Sequence, residues 1–434
     1  MTKQAAGILS IGAVLFLAGL VTGNFVPICV ALVPLLLLAF GIWATSPKAV
    51  IANRNDSKGT AWVGETIEVS WEVILPKGVG VVTLNQELPN NFELAEGNNL
   101  KVMWKGRAEK SLKFAFRMKC SKRGLYSLSK LNWEWRHPLG LMQTKWGVAG
   151  EDMQLLVRPR VLNIRRIRGS KGIAPKSSPG PHIVKVGVPG TDFRELRQYM
   201  PGDSVRSINW KATARLAGRG LTQPVVNEYE AEGKKTVLIF VDTSAYMEVG
   251  TSIKNVFEYS MEAASGLAHY FLDSGYRVGV CSYGADSHFH YPDTGKRQFF
   301  QISRTLATLK ISRDGGNLVS AVEKCRKHIQ GRDPFCIVVT RLDSGSPASL
   351  ISGVEKMALL RGHMKTTPPI MIVGIAGYSA VTVESEYDRN AVNLLHLWAR
   401  PVANYLRKTG ISVLEWDPSK DNFANVLLRD MKAR

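Results

Sequence analysis

The sequence predicts a multi-domain chain: an N-terminal transmembrane helical hairpin, then an all-β sandwich of immunoglobulin-like type, then a doubly wound α/β domain. Three observations predict it. Residues 5–21 and 25–44 contain no charged side chain. From about residue 60 to 161 short runs alternate apolar and polar with period two, broken by turn residues. After Lys235 apolar strand-like runs alternate with helical patterns. The boundaries that follow are 1–45 for the hairpin, 46–161 for the sandwich, 162–189 for a basic Pro/Gly linker, 190–235 for a dense charged segment and 236–434 for the α/β domain.

The two uncharged stretches are each roughly 17–20 residues long, about the length needed to cross a bilayer core. A cleaved signal peptide is the competing reading of the first. Against it, the second apolar run follows at once, with no small-x-small site opening a polar mature start. The tip, residues 22–24, has no Lys or Arg, whereas Lys3 precedes the first run and Lys48, Arg54 and Lys58 follow the second. By the positive-inside rule both ends lie in the cytoplasm, which places the chain in the cell membrane as a two-helix protein with cytosolic domains. The five cysteines agree: Cys29 falls in the second run, and Cys120, Cys281, Cys325 and Cys336 have no metal-ligand spacing and read as reduced, buried thiols. The net charge is +20. Anionic headgroups, nucleic acid and a plain solvated surface all fit that charge. No zinc finger, RNA-recognition signature or basic heptad helix is present, so no nucleic-acid partner is expected.

Strand patterns occur at 66–74, 111–118 and 131–135, separated by turns such as Pro76-Lys77-Gly78 and Pro89-Asn90-Asn91. This spacing without helical periodicity is that of an antiparallel sandwich. Residues 158–185 hold eight Lys or Arg and no acid, and their second half is rich in Pro, Gly and Ser. Lipid-phosphate contact by Arg165, Arg166, Arg168 and Lys171 competes there with a solvated connector.

In the last part, strands are expected at 236–241, 277–282, 335–340, 370–375 and 411–416. Helices are expected at 252–273, 299–309, 318–329, 348–360, 388–407 and 422–431. Such alternation builds a mostly parallel sheet with helices on both faces, and ligands bind beyond the carboxyl ends of its strands. Asp242, Thr243 and Ser244 fall there. Neither G-x-x-x-x-G-K-[ST] nor G-x-G-x-x-G follows a strand, which argues against ATP hydrolysis. Ser244 lacks the G-x-S-x-G elbow, and His288 and His290 sit in a loop two residues apart. A hydrolase using Ser244 or His288 with His290 is therefore the minor reading, and no enzyme activity is expected.

The domain after Lys235 resembles a von Willebrand factor A-like domain, a fold that often carries a metal-ion-dependent adhesion site. Its D-x-S-x-S motif reads Asp242-Thr243-Ser244-Ala245-Tyr246 here, with Tyr246 in place of the last hydroxyl. The Gly-rich loop reads Asp314-Gly315-Gly316-Asn317, with Asn317 where Thr is expected. In the run Val338–Asp343, Arg341 takes the position of the third-motif acid and Asp343 follows two residues on. The resemblance implies a degenerate Mg²⁺ site of Asp242, Ser244, Asn317 and Asp343, with no cofactor certain. The alternative is that Asp242 caps the following helix or binds Arg341.

The segment GTDFRELRQYMPGDSVRSINWKATAR, with Asn227-Glu228-Tyr229-Glu230 and VDTSAYM after it, resembles domain-of-unknown-function family 58. So do His137-Pro138-Leu139-Gly140-Leu141 and Val157-Arg158-Pro159-Arg160-Val161. Members are associated with MoxR-type AAA+ ATPases in systems thought to assemble or mature protein complexes. The resemblance implies a membrane-anchored cytosolic interaction or scaffold module with such an ATPase and other proteins as partners. A Mg-dependent binding module is the alternative. Within the segment, Arg194, Arg197, Asp203, Arg206, Trp210, Lys211 and Arg215 form either a docking surface with Arg and Trp anchors or an internal ion-pair network. Residues 208–210 read as a short buried strand or edge.

Overall fold

The computed structural model describes residues 2–43, 49–55, 59–162, 164, 189–200, 205–218, 223–231, 236–284, 287–313, 315–330, 334–342, 347–360, 369–376 and 386–432. The chain divides into two compact units, residues 1–160 and 161–434.

The first unit opens with α1 (Lys3–Thr22) and α2 (Phe25–Trp43). Thr2 caps α1 by accepting from the Ala5 amide, and Gly23 closes it in the left-handed conformation that favours glycine. Helix α1 is long and apolar enough to cross a membrane. Its buried Gly12 and Gly19, seven residues apart, let α2 approach closely: a Cβ on Gly19 would overlap Ile28, and one on Gly12 would touch Pro34. Small residues at such a seam allow close van der Waals packing of the two helices.

The rest of this unit is sheet. Strands β1 (Ile51–Arg54), β2 (Thr60–Trp62), β3 (Thr66–Leu75), β4 (Gly80–Asn85), β5 (Phe92–Gly97) and β6 (Leu100–Lys105) come first. They are followed by β7 (Lys110–Cys120), β8 (Gly124–Leu128), β9 (Leu131–Arg136), β10 (Lys145–Ala149) and β11 (Met153–Arg158). The sheets run β1-β3-β7-β5, β10-β9-β4-β6 and β2-β11-β8. Period-two patterning explains them: Val69, Trp71, Val73 and Leu75 of β3 turn inward, as do Phe114, Phe116 and Met118 of β7. Residues of all three sheets meet in one hydrophobic core around Trp71 and Trp135.

Among the described residues of this unit two cationic side chains are buried, Lys105 and Arg123. Lys105 at the end of β6 is 0% exposed, and its Nζ donates to the carbonyls of Gly78 (3.3 Å), Gly106 (3.2 Å) and Ala108 (2.9 Å). Burial lowers its pKa, and Glu109 nearby partly opposes the shift. The ammonium thus fastens the β3–β4 turn to the β6–β7 turn. Lys105→Met keeps the volume but strands three carbonyls, so it should cost about 3 kcal/mol. The check is a lower melting temperature of the full chain in detergent.

The second unit begins with an antiparallel ribbon of β12 (Pro189–Gln198) and β13 (Val225–Ala231) flanking α3 (Trp210–Ala217). Its main body is a six-stranded sheet of β14 (Thr236–Asp242), β15 (Arg277–Tyr283), β16 (Phe289–Asp293), β17 (Phe335–Thr340), β18 (Ile370–Ile375) and β19 (Ser412–Trp416). The order is β16-β15-β14-β17-β18-β19, parallel except for β16, which runs antiparallel beside β15. Its helices are α4 (Val256–Asp273), α5 (Gly295–Thr308), α6 (Leu318–Lys324), α7 (Arg326–Ile329), α8 (Pro347–Leu360), α9 (Glu386–Lys408) and α10 (Phe423–Lys432). Alternate residues of β14 feed two separate cores. Val237, Ile239 and Val241 pack with α4, α5 and α10, whereas Leu238 and Phe240 pack with α6, α8 and α9. Both faces of this region are therefore helix-covered, which is why its strands read as continuous apolar runs.

Three expectations are corrected. The loop expected around His288 and His290 is largely strand β16, whose Pro292 and modest burial suit an edge position. The helix expected over 318–329 breaks at Cys325 into α6 and α7. Residues 208–210 are not a buried strand: Ile208 makes a lone bridge to Val226, Asn209 caps a helix, and Trp210 begins that helix with 63% exposure.

Candidate functional site

Strand β14 is where the sheet reverses. The chain passes from β14 to β15 on one side and later returns to β17 on the other. The crevice at such a switch point, beyond the carboxyl ends of the two strands, is where α/β sheets bind ligands. Asp242 ends β14 and Thr340 ends β17, so the topology brings them together, and both are buried.

Thr340 donates its hydroxyl to Asp242 Oδ2 at 2.6 Å, and the Ser244 amide donates to Oδ1 at 2.9 Å. Burial pushes the Asp242 carboxyl above the usual carboxylate range, while the hydrogen bonds from Thr340 and Ser244 and the nearby Tyr283 hydroxyl hold it partly down. The Tyr283 phenol, at the end of β15, is itself raised well above its ordinary value by burial and then by the Asp242 charge. Its hydroxyl lies within electrostatic reach of the carboxylate but makes no hydrogen bond of ordinary geometry. Thr243 binds the neighbouring loop: its amide donates to the Tyr283 carbonyl at 3.0 Å, and its carbonyl accepts from Ser312 at 2.7 Å. Gly316 closes the crevice from above, since a Cβ there would lie 3.2 Å from Asp242 Oδ1 and 3.3 Å from Ser244 Cβ.

The remaining residues of the expected cation set are differently employed. Asn317 is exposed and accepts from the Ser320 amide at 3.2 Å, capping α6. Asp343 lies outside the described residues. Arg341, only 9% exposed, donates Nη1 to the Tyr246 carbonyl. Among the described residues no group of three or more His, Cys, Asp or Glu side chains is arranged to hold a metal. His288 and His290 belong to the β16 side of the sheet, with β15 between them and β14. That separation is about 10 Å, so they do not join Ser244. His290 instead bonds Thr305, and burial lowers its pKa.

In the charged segment, Arg194 and Arg197 lie on β12, Arg206 in the turn Val205–Ser207, and Lys211 and Arg215 on α3. Arg197 donates to its neighbour's carbonyl, Gln198 O, at 3.1 Å, and Lys211 and Arg215 are exposed. Asp203 lies outside the described residues. Helix α3 is held by polar contacts: Asn209 accepts from the Ala212 amide at 2.9 Å and donates to Asn227 at 2.9 Å, and Thr213 accepts from the Val225 amide at 3.1 Å. What this scaffold displays is apolar. Leu196, Met200, Val205 and Trp210 are 41%, 58%, 64% and 63% exposed.

Sequence reasoning picked out Trp210 but missed Thr340, Tyr283 and the exposed Leu196, Met200 and Val205. Thr340 and Tyr283 were findable only through strand order. The N-cap Asn209 before an Ala-rich run was a legible helix start.

A chain with an apolar N-terminal helix, a sheet-rich unit and an α/β unit fits a membrane-associated class of protein. Residues 195–354 match the family described as "Protein of unknown function DUF58". Uncharacterized proteins of Mycobacterium bovis and Mycobacterium tuberculosis are 28% identical over 162 residues, 37% of this chain and 50% of theirs. The chain thus spans about half the length of the curated relatives it matches. Among solved structures, an uncharacterized membrane spanning protein from Vibrio fischeri aligns at 14% identity over 46% of this chain and 96% of that one, with a TM-score of 0.17. A non-cellulosomal cohesin from Archaeoglobus fulgidus aligns at 19% identity over 25% of this chain and 90% of that one, also at 0.17. Scores this low carry no argument about fold.

Proposed function

We propose that this protein is a membrane-anchored protein-interaction module. Both apolar helices cross the bilayer, the sheet-rich unit has an immunoglobulin-like plan, and the α/β unit follows the von Willebrand factor A-like plan on the cytoplasmic side. Its partner is a MoxR-type AAA+ ATPase, with which it assembles or matures other protein complexes. The observation that carries the interaction reading is the exposure of four large apolar side chains, Leu196, Met200, Val205 and Trp210, within one short stretch of the DUF58 match. Exposed apolar side chains in a stretch that also carries Arg197, Lys211 and Arg215 have the composition of a protein-docking surface.

The competing reading is a Mg²⁺-dependent adhesion module. A hard cation takes about six oxygen ligands and favours carboxylates. Here one carboxylate is buried, Asn317 is spent on a cap, and a guanidinium occupies the place of the third acid. The roles of Asn317 and Arg341 favour the exposed surface over metal coordination as the place of binding. The reading is tested by affinity purification of the full chain from membranes with a non-hydrolysable ATP analogue. An AAA+ ATPase is expected among the captured proteins, and its absence overturns the partnership.

A further inference from the structure

The base of the helical hairpin is docked on one turn of the β-rich unit. His137 follows β9 and is 5% exposed. Its Nδ1 accepts from the amides of Leu139 (3.1 Å) and Leu141 (3.3 Å), so the ring proton sits on Nε2. Nε2 therefore donates to the Gly41 carbonyl at 3.2 Å, one of the carbonyls left open in the last turn of α2. At the start of α1, Thr2 donates its hydroxyl to the Gly140 carbonyl at 2.7 Å. Leu141 packs with Ala5, Ile8 and Leu38, and no room is left for a Cβ on Gly41. Both ends of the hairpin opposite its tip thus rest on residues 137–141.

Strand register tells which end of the β-rich unit this is. Arg136 pairs with Val81, Gly80 with Lys105, and Leu75 with Lys110. The β3–β4 turn, the β6–β7 turn and the β9–β10 turn therefore share one end, laced together by Lys105 and by Trp135, whose indole donates to the Val79 carbonyl at 3.2 Å. That end exposes Lys77, Arg107, Lys110, Arg136 and Lys145, against Glu109 on the same turns. Arg136 also pairs with Glu134 at 2.8 Å. Beside these cations, Trp104 and Trp146 are 59% and 81% exposed on the outward face of their sheet, and Leu139 is 43% exposed on the docking turn. At the opposite end residues 86–99 hold Glu87, Glu93 and Glu96 and no Lys or Arg, beside Lys119, Lys122 and Lys130, so charges of both signs mix there.

We infer that this cationic, tryptophan-bearing end of the β-rich unit lies on the anionic phospholipid headgroups around the hairpin. The inference rests on the reading that the hairpin spans the bilayer, because the dock then holds this end at headgroup height. Cations there meet the negative surface potential of the leaflet, and indoles favour the same depth. The docking turn makes the contact a fixed one, so the orientation of the unit against the membrane is set by His137 and its neighbours.

The test is hydrogen–deuterium exchange of the full chain in nanodiscs of phosphatidylcholine alone and with about 30 mol% phosphatidylglycerol. Amides in residues 106–109 and 138–146 should exchange about 3-fold more slowly in the anionic discs, and those in 86–99 should not change. Roughly 0.5 M salt should erase the difference. The quadruple variant Lys77→Ser, Arg107→Ser, Lys110→Ser and Lys145→Ser should lose it while the cores of β3 and β7 keep their protection, which shows that the variant folds. Equal exchange in both discs overturns the inference. So does inorganic phosphate with phosphatidylcholine discs giving the same slowing, which would mark a simple anion site. Release of the native protein from membranes by alkaline carbonate is a separate failure, that of the membrane-spanning reading itself.

Discussion

If the proposed ATPase partnership holds, Trp210→Ala should reduce capture of that ATPase by roughly 30-fold, about 2 kcal/mol, while leaving the fold almost untouched. Trp210 is the first residue of α3 and 63% exposed, so truncating it removes little buried surface and should cost under about 0.5 kcal/mol of stability. An interaction anchor behaves oppositely, because its area is buried only in the complex. Leu196 and Met200 on the β12 side are likewise exposed apolar side chains, so Leu196→Ser and Met200→Ser should weaken capture in the same sense. Asn209→Ala is the control for a structural role. It removes the cap of α3 and the bond to Asn227, so it should lower stability by about 1 kcal/mol and weaken capture only as far as α3 frays. The two readouts are the fraction of ATPase retained on immobilised full chain and the melting temperature. Unchanged capture by Trp210→Ala with a melting temperature several degrees lower would make Trp210 a packing residue and remove the docking surface.

The α/β framework was legible because its strands are buried on both faces. Runs such as Val237–Val241 and Ile370–Ile375 have no polar interruption, and their limits in the structure lie within a residue of those read from the sequence. The edge strand β16 was not legible, because an edge strand carries no continuous apolar run and Phe289-His290-Tyr291-Pro292 looks like a loop. The same limit explains the site. Asp242 announces itself by ending a strand, but its partner Thr340 lies 98 residues away and is set beside it only by the order of β14 and β17. Asn317 shows the reverse error. A polar side chain after two glycines is read as a ligand, yet the helix that starts at Leu318 claims its oxygen first. The dock at His137 was visible only as a turn motif, since nothing local links that turn to Thr2 and Gly41.

Asp242→Ala and Asp242→Asn should move stability in opposite directions. The alanine variant leaves the buried Thr340 hydroxyl and the Ser244 amide without their acceptor, and should cost about 3 kcal/mol. The asparagine variant keeps both contacts. Its carbonyl accepts from Ser244, its amide donates to Thr340 Oγ1, and that hydroxyl can turn to the Arg341 carbonyl at 3.5 Å. What it loses is the charge, and burial makes that charge unfavourable here. The sign follows from linkage. Because the folded state holds the Asp242 proton to higher pH than the unfolded chain, whose carboxyl titrates near about 3.9, folding takes up a proton between those two values. The Asp242 contribution to stability is therefore greatest below that window and falls as pH rises through it. Asp242→Asn should flatten this part of the profile and melt at or above the native temperature at pH 8. A cation at the crevice would reverse the comparison, since Mg²⁺ would then stabilise the native chain and not the asparagine variant. Melting curves of the three proteins across pH, with and without Mg²⁺, separate a buried carboxyl kept for packing from one kept for a metal.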